Sequence, residues 1–248
     1  MDASSLIDRL EQHGTSLADA AARAGLAAAV PTCPGWDVRD LLAHTGMVHR
    51  WATVHIQDGR AASVDDPERD FAAPDDGVVD WFRAGHAALV AALRAAPDDL
   101  DAMTFLANSG TPRQFWARRQ AHETAIHGAD AASALDEIPD IDADFALDGV
   151  GELLEGFYGR RGGKLTADPP LTLRIAPTDA TTTWRVELRP DRRTITRDDS
   201  GAADCTLSGR SADLYLSLWN RRPAIPVEID GDDRAVEVWR RLARVRWS

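Results

Sequence analysis

The stretch RRQAHETAIHGAD, residues 118–130, has helical spacing and carries three side chains that can ligate a metal: His122, Glu123 and His127. A helix turns by about 100° per residue, so Glu123 and His127, four residues apart, lie about 40° apart and can face one ion. His122 and His127 are five residues apart and diverge by roughly 140°. The spacing therefore predicts a Glu/His pair on one helix face, with His122 directed elsewhere. It excludes the HExxH arrangement, in which both histidines share a face.

A metal site built on this pair needs a third ligand from another helix, because catalytic zinc ions usually take three protein side chains and keep one position open. The earlier histidines considered for this role are His44, His49, His55 and His86. His44 and His49 diverge on their helix, and His44 and His55 lie about 16 Å apart along its axis. His44 adjoins the apolar positions Leu41 and Val48, which favours it. His86 stays open on spacing alone, and a Glu/His pair at this spacing also occurs without a metal.

The first 160 residues predict an antiparallel helical bundle. The predicted helices run through SSLIDRLEQHGTSLADAAARAG, DVRDLLAHTGMVHRWATVHI, VVDWFRAGHAALVAALRAAP, FWARRQAHETAIHGADAASAL and DADFALDGVGELLEGFYGRR. We expect caps at Ser4 and Ser5 for the first, and Pro112 in the first turn of the fourth. The polar segment GRAASVDDPERDFAAPDDG predicts a loop. Long helices joined by such loops form antiparallel bundles.

The residues after GRRGGK change period and predict a small α+β domain. The segments LTLRIAP, TTWRVELRP, RTITRDD, CTLSG and VEIDGD are predicted strands, most of them with alternating apolar and polar residues. The segments SADLYLSLWNRRP and DRAVEVWRRLARV return to helical spacing. The cluster RRGGK suits a linker. The sequence thus predicts an α+β protein with a helical bundle over residues 1–160 and an α+β domain over residues 165–248.

Composition limits the classes of partner. The chain of 248 residues has 44% hydrophobic and 27% charged residues and a formal net charge of −12. Nucleic-acid binding needs a basic face, which this balance does not favour. The start MDASSLIDRLEQHG lacks the apolar run of a secretory signal, and no stretch approaches the ~20 apolar residues of a membrane span. Two distant cysteines predict no disulfide framework. We therefore expect a cytoplasmic protein that acts on neither nucleic acid nor membrane.

Two segments together carry a family resemblance. PTCPGWDVRDLLAHTGMVHRW, residues 31–51, and RRQAHETAIHGAD resemble the mycothiol-dependent maleylpyruvate isomerase family, whose N-terminal domain is a DinB-like metal-binding four-helix bundle. DLYLSLWNRRP and VEIDGD resemble that family's smaller, sterol-carrier-like α+β domain. The resemblance covers nearly the whole chain. It implies a zinc site, or one for another divalent metal, with His44, Glu123 and His127 as ligands.

The resemblance also implies mycothiol as cofactor and a functional arginine in the C-terminal domain. The match LWNRRP offers Arg221 or Arg222 for this role, and we favour Arg221, although both could simply cover the surface. An arginine facing the site would pair with a substrate carboxylate in a fork geometry. Cys33 and Cys205 are not near the ligands in sequence, so the reactive thiol would come from a small molecule.

The function that the resemblance implies is thiol chemistry on a small electrophile. A zinc-bound thiolate would add to the substrate and then either leave, which gives cis-trans isomerisation, or stay, which gives S-transfer. The alternatives are a thiol S-transferase or natural-product tailoring enzyme that does not use maleylpyruvate, and a non-catalytic ligand-binding module. We expect a monomer or small homo-oligomer.

Overall fold

The computed structural model describes residues 1–106, 108–160, 162–197, 200–221 and 226–245. Internal contacts divide the chain into two compact units, Met1–Phe105 with Ser109–Pro139, and Leu106–Asn108 with Asp140–Ser248. Residues 140–160 thus group by contacts with the second unit. The expected division into domains at residues 160–165 stays a prediction.

The first unit is a bundle of four long helices. Its elements are α1 (Ala3–Ala24), α2 (Val38–Asp58), a 3₁₀ turn (Gly59–Ala61), the short α3 (Pro67–Asp70), α4 (Val78–Ala95) and α5 (Pro112–Ser133). The four long helices form a closed ring, because α1 packs on α5 and α4, and α2 packs on α4 and α5. The predicted bundle is confirmed. The expected loop between α2 and α4 contains the one-turn α3 as an addition.

The start of α1 differs from the prediction, while the start of α2 agrees with it. The N-cap of α1 is Asp2, whose carboxylate accepts the Ser5 N–H at 2.8 Å. The predicted caps at Ser4 and Ser5 are therefore wrong, because the aspartate two or three residues earlier already satisfies the helix end. Asp37 caps α2, and its partner Asp40 accepts the Asp37 N–H in return, which forms a capping box.

Gly46 lets α2 and α4 approach closely. A Cβ built at Gly46 would lie 2.2 Å from Cζ3 of Trp81 on α4. The face of Trp81 is in turn covered by the Arg50 guanidinium, 3.8 Å from the ring centroid. The indole occupies the space that a side chain at position 46 would need. This explains why a residue of low helix propensity stands in the middle of α2.

Gly46→Ala is expected to destabilise the protein by about 1–3 kcal/mol, because the added methyl overpacks the α2–α4 contact. The gain in helix propensity of at most about 1 kcal/mol does not offset this. Urea unfolding followed by circular dichroism would measure the change. Gly128→Ala is the matched control, since the nearest atom to its Cβ is 3.8 Å away. A Gly46→Ala protein as stable as the parent would contradict this account of the contact.

The second unit is a five-stranded sheet with helices. It contains α6 (Ala143–Gly151), a turn of π-helix (Glu152–Phe157), β1 (Leu171–Pro177), β2 (Trp184–Leu188), β3 (Arg193–Thr196), β4 (Cys205–Gly209), α7 (Ser211–Leu218), β5 (Glu228–Gly231) and α8 (Arg234–Leu242). The strand order is β3-β2-β1-β4-β5, with β1 and β4 parallel and the other neighbours antiparallel. Both α7 and α8 pack against β1 and β4.

The sequence pattern accounts for most of this unit. Burial alternates along β1 and β2, as the period-two pattern predicts. The predicted helix over SADLYLSLWNRRP ends earlier, because Asn220 takes a left-handed φ of 58° after α7. The predicted fifth helix changes to π-type, where the Tyr158 N–H donates to the Leu153 carbonyl at 3.1 Å. The α+β class is confirmed. No helix in the described ranges is long and apolar enough to cross a bilayer.

Candidate metal centre

The helix α5 carries an unusual number of polar side chains into the interior of the first unit. Thr111 caps the helix by accepting the Gln114 N–H, and Pro112 occupies its first turn, as predicted. The buried polar residues of α5 are Arg119, Gln120, His122, Glu123, Thr124, His127, Asp130 and Ser133. Buried polar groups require internal partners or a ligand, so these side chains are the candidates for a binding site inside the first unit.

Three of the predicted residues meet at one point. His44 on α2 and Glu123 and His127 on α5 each offer a ligand atom, and these atoms lie within 4.8 Å of one another. Glu123 Oε1 lies 3.2 Å from His127 Nε2 and 3.7 Å from His44 Nε2. The four-residue spacing of the pair on α5 produces the shorter of these distances, as helical geometry requires.

The donor set fits a zinc ion. Two zinc–ligand bonds of about 2.1 Å at a tetrahedral angle place their ligand atoms about 3.4 Å apart, close to both distances from Glu123 Oε1. This oxygen is buried and accepts no hydrogen bond within the described part of the chain. Two imidazoles and one carboxylate match the composition of catalytic zinc sites that retain an open position.

Glu123 is ionised and held by a buried cation. Its second oxygen, Oε2, accepts a hydrogen bond from Arg119 Nη2 at 3.0 Å, and Arg119 is fully buried. Burial alone would raise the pKa of the Glu123 carboxyl, but His127, His44 and Arg119 together hold that pKa well below its usual range. One oxygen thus faces Arg119 and the other faces the two imidazoles.

His127 has a partner at each ring nitrogen. Its Nε2 faces Glu123, and its Nδ1 lies 2.9 Å from Asp130 Oδ2. Burial lowers the pKa of His127, but its contacts with the Asp130 and Glu123 carboxylates outweigh burial and raise the pKa to about 9. Without a metal the imidazole is therefore protonated at neutral pH, and an ion that binds here replaces that proton.

The metal-free protein is expected to lose stability as the pH rises from about 6.5 to 9. The folded state keeps a proton on His127 with a pKa of about 9, whereas the group's ordinary value is 6.5. This contribution, on the order of 3 kcal/mol, is fully present below pH 6.5 and is lost as the pH rises through 9. Urea unfolding in a chelator at pH 6 and pH 9 measures it, with His127→Gln as the control that removes the difference. Stability that rises across this range in the parent protein would contradict the assignment.

Trp36 covers the two imidazoles. Its ring centroid lies 5.1 Å from that of His44 and 6.3 Å from that of His127, and it is nearly parallel to the latter, at 23°. Trp36 is half-buried and belongs to the turn that precedes α2. The Trp36 indole therefore covers one side of the cluster.

The remaining candidate histidines make other contacts. His49 Nε2 lies 2.9 Å from Thr124 Oγ1, His86 Nε2 lies 3.3 Å from the Glu11 carbonyl, and His55 stacks on Trp116 at 5.6 Å. His122 is fully buried, and the group of potential ligands found among the described residues does not include it.

The arginine prediction concerns the second unit. Arg221 follows α7, where its backbone N–H donates to the Leu216 carbonyl at 2.8 Å and its Nη1 donates to the Trp219 carbonyl at 3.1 Å. Arg222 lies outside the described residues. A role for either arginine in the site stays a prediction.

Family models match both units of the chain. The mycothiol maleylpyruvate isomerase N-terminal domain matches residues 7–132, and the C-terminal domain of the same family matches residues 144–237. The chain belongs to the mycothiol-dependent maleylpyruvate isomerase family. The predicted family membership is thereby confirmed, and His44, Glu123 and His127 all lie within the first matched segment.

Solved structures show the same fold at low sequence identity. A crystal structure of the mycothiol-dependent maleylpyruvate isomerase has a TM-score of 0.62 and 14% identity, and covers 93% of each chain. A crystal structure of a histidine-to-alanine mutant of the mycothiol-dependent maleylpyruvate isomerase has a TM-score of 0.62 and 12% identity. The match covers 92% of this chain and 93% of that chain. No curated protein matches the sequence. At these identities the structural likeness establishes the fold of this family member.

Sequence reasoning missed several residues that contact the clustered side chains. Arg119 precedes Glu123 by four residues, and Asp130 follows His127 by three, so helical spacing alone could have marked both as neighbours. Thr32 and Trp36 lie in the segment 31–51, which carries the family resemblance. Each contacts a residue of α5 that is about a hundred positions away in the sequence. No local pattern predicts such contacts.

Proposed function

We propose that this family member is a zinc enzyme that uses mycothiol as its thiol cofactor and acts on a small electrophile. The observation that carries the proposal is the convergence of His44, Glu123 and His127, whose ligand atoms lie within 4.8 Å of one another on two helices. The family to which the chain belongs, and the mycothiol dependence stated for the structures that share its fold, support the choice of thiol.

The residues of the site would share the work of holding the ion. His44 and His127 would each supply one imidazole nitrogen, and Glu123 would supply Oε1, while Arg119 keeps Oε2 occupied and so favours coordination through one oxygen. Zinc in this position would lower the pKa of a cofactor thiol and leave it as a thiolate at neutral pH. Trp36 would limit the directions from which the thiol and the substrate approach.

The charges around the ligands favour an anionic fourth ligand. The Glu123 carboxylate offsets one of the two positive charges of a zinc ion. The buried Arg119 guanidinium and the buried Asp130 carboxylate carry opposite charges, so they add no net charge to the site. The site with zinc would therefore keep one net positive charge in a largely buried region, where an unpaired charge is costly. A thiolate would neutralise it.

The cysteines of the chain are poor candidates for the reactive thiol. Cys205 is buried in β4, and burial together with the nearby aspartates raises the pKa of its thiol. Cys33 is partly buried and packs against the apolar cluster of the first unit, and it is not among the grouped metal-ligating residues. A small-molecule thiol fits the site better, and a reducing cytoplasm suits both such a thiol and these free cysteines.

The reaction we infer is addition of the thiolate to an activated double bond, rotation about the resulting single bond and loss of the thiolate, which together give cis-trans isomerisation of a substrate such as maleylpyruvate. Arg221 is proposed to pair with the substrate carboxylate. Transfer of the thiol to an electrophile that keeps it is the alternative outcome of the same first step.

Thermal-shift titrations of the zinc-loaded protein with mycothiol, glutathione and bacillithiol test the cofactor. We expect a rise in Tm with mycothiol, because a ligand that binds only the native state stabilises it. The rise should be absent in His127→Ala, whereas His55→Ala, which changes a histidine stacked on Trp116 away from the cluster, should keep it. Product analysis with maleylpyruvate then separates isomerisation from S-transfer. No shift with any thiol on a protein that holds zinc would contradict the proposed thiol chemistry and favour a ligand-binding module.

A further inference from the structure

A chain of hydrogen bonds runs from the metal-facing imidazole to the turn before α2. His127 presents Nε2 to Glu123, and its Nδ1 lies 2.9 Å from Asp130 Oδ2. The other oxygen of that carboxylate, Oδ1, accepts a hydrogen bond from Thr32 Oγ1 at 2.6 Å. Asp130 is fully buried. Both of its oxygens are therefore engaged, one by the imidazole and one by the hydroxyl.

This arrangement defines what each nitrogen of His127 can do. A neutral imidazole has one N–H and one lone pair, and the group that accepts the N–H decides which nitrogen is left for a metal. Asp130 accepts at Nδ1, because a carboxylate has no proton to donate, so Nε2 keeps its lone pair. Nε2 is the nitrogen that lies 3.2 Å from Glu123 Oε1, inside the cluster.

The turn that supplies Thr32 touches His127 a second time. Trp36, four residues after Thr32, stacks on the His127 ring with centroids 6.3 Å apart. The ring is thus restrained at its edge by the Asp130 carboxylate and on its face by the indole. A side chain restrained in this way has little freedom to rotate out of the cluster.

We propose that Asp130 is a positioning residue that fixes the tautomer and ring orientation of His127, and that Thr32 holds the Asp130 carboxylate for this purpose. The inference rests on the proposed metal site. Carboxylate partners of metal-binding histidines typically contribute about 10- to 100-fold to metal affinity. The contrasting role is purely structural: Asp130 would then only fasten the turn to α5 through Thr32, with no effect on the metal.

Zinc affinity and histidine NMR together test the proposal on the full chain. We expect Asp130→Asn to weaken zinc binding by about 10- to 100-fold in competition with a chromophoric chelator. Thr32→Val should weaken it in the same direction by less, since it leaves the His127–Asp130 contact in place. Thr53→Val is the matched control, because its hydroxyl donates to the backbone carbonyl of His49 at 2.7 Å, and it should bind zinc like the parent.

The tautomer gives a readout that a structural role would not move. In the zinc-loaded parent labelled with ¹⁵N-histidine, the His127 Nδ1 should carry the proton, and its signal is assigned by its absence in His127→Ala. A proton on Nε2 would overturn the proposal even if Asp130→Asn does not fold. Parent-like zinc affinity in a folded Asp130→Asn, with lower metal-free stability, would leave only the structural role. A parent protein that binds no zinc would instead overturn the proposed function itself, and this inference with it.

Discussion

Glu123→Gln is expected to abolish stoichiometric zinc binding and to destabilise the metal-free protein by about 3–5 kcal/mol, although the side chain keeps its shape. The carboxylate is the one anion in the proposed ligand set, and its Oε2 accepts the hydrogen bond from the fully buried Arg119. An amide removes the negative charge that faces this guanidinium and the protonated His127. Breaking a buried ion pair from one side is costly because the other charge stays buried.

Zinc content after dialysis and urea unfolding in a chelator measure the two effects separately. Glu137→Gln is the matched control, since Glu137 pairs with Arg23 at 2.7 Å on the surface. Exposed pairs contribute little to stability, so this variant should keep its zinc and nearly all its stability. A Glu123→Gln protein with parent zinc content would show that the carboxylate is not a ligand.

Arg119→Met has the second largest expected effect, and the effect should depend on the metal. Removing the guanidinium takes away a buried cation 3.0 Å from Glu123 Oε2, which should destabilise the metal-free protein by about 3–5 kcal/mol. Zinc supplies positive charge to the same carboxylate, so the loss should be smaller in the zinc-loaded protein. By linkage, the variant then binds zinc more tightly than the parent does.

Unfolding free energies of both forms, with and without zinc, complete this comparison. Arg94→Met serves as the control, because Arg94 pairs with Glu11 at 2.7 Å and with Asp8 on the surface. It should change stability little and equally in both forms. If Arg119→Met loses the same stability with and without zinc, Arg119 and the ion do not share the Glu123 carboxylate.

The part of the site that lies on one helix was predictable from the sequence, and the part between helices was not. The four-residue spacing of Glu123 and His127 fixes their convergence, since a helix brings such positions onto one face. For the third ligand, spacing left His44 and His86 open, and the apolar positions beside His44 together with the family resemblance favoured His44. The structure places His44 in the cluster and His86 against the Glu11 carbonyl of α1. Which histidine of a helix faces α5 depends on the rotation of the packed helices, which the apolar positions of the helix indicate only in part.

The fold follows the same division between local and long-range information. Hydrophobic periodicity predicted the long helices and the strands, because burial on one face repeats every 3.6 or 2 residues. It did not predict Asp2 as the cap of α1, or the change to π-helix at Glu152–Phe157. It also does not account for Gly46 in the middle of α2, where the Trp81 indole occupies the space of a side chain. In the last case the cause is a residue on a different helix.

X-ray absorption at the zinc edge tests the central claim most directly. The parent protein loaded with one equivalent of zinc should show nitrogen and oxygen ligands at about 2.0–2.2 Å, including imidazole scattering, and no sulfur. Addition of mycothiol should then introduce one sulfur ligand at about 2.3 Å. A sulfur ligand already present without the cofactor, or an unchanged spectrum after saturation with mycothiol, would contradict a site in which His44, Glu123 and His127 present zinc to a cofactor thiol.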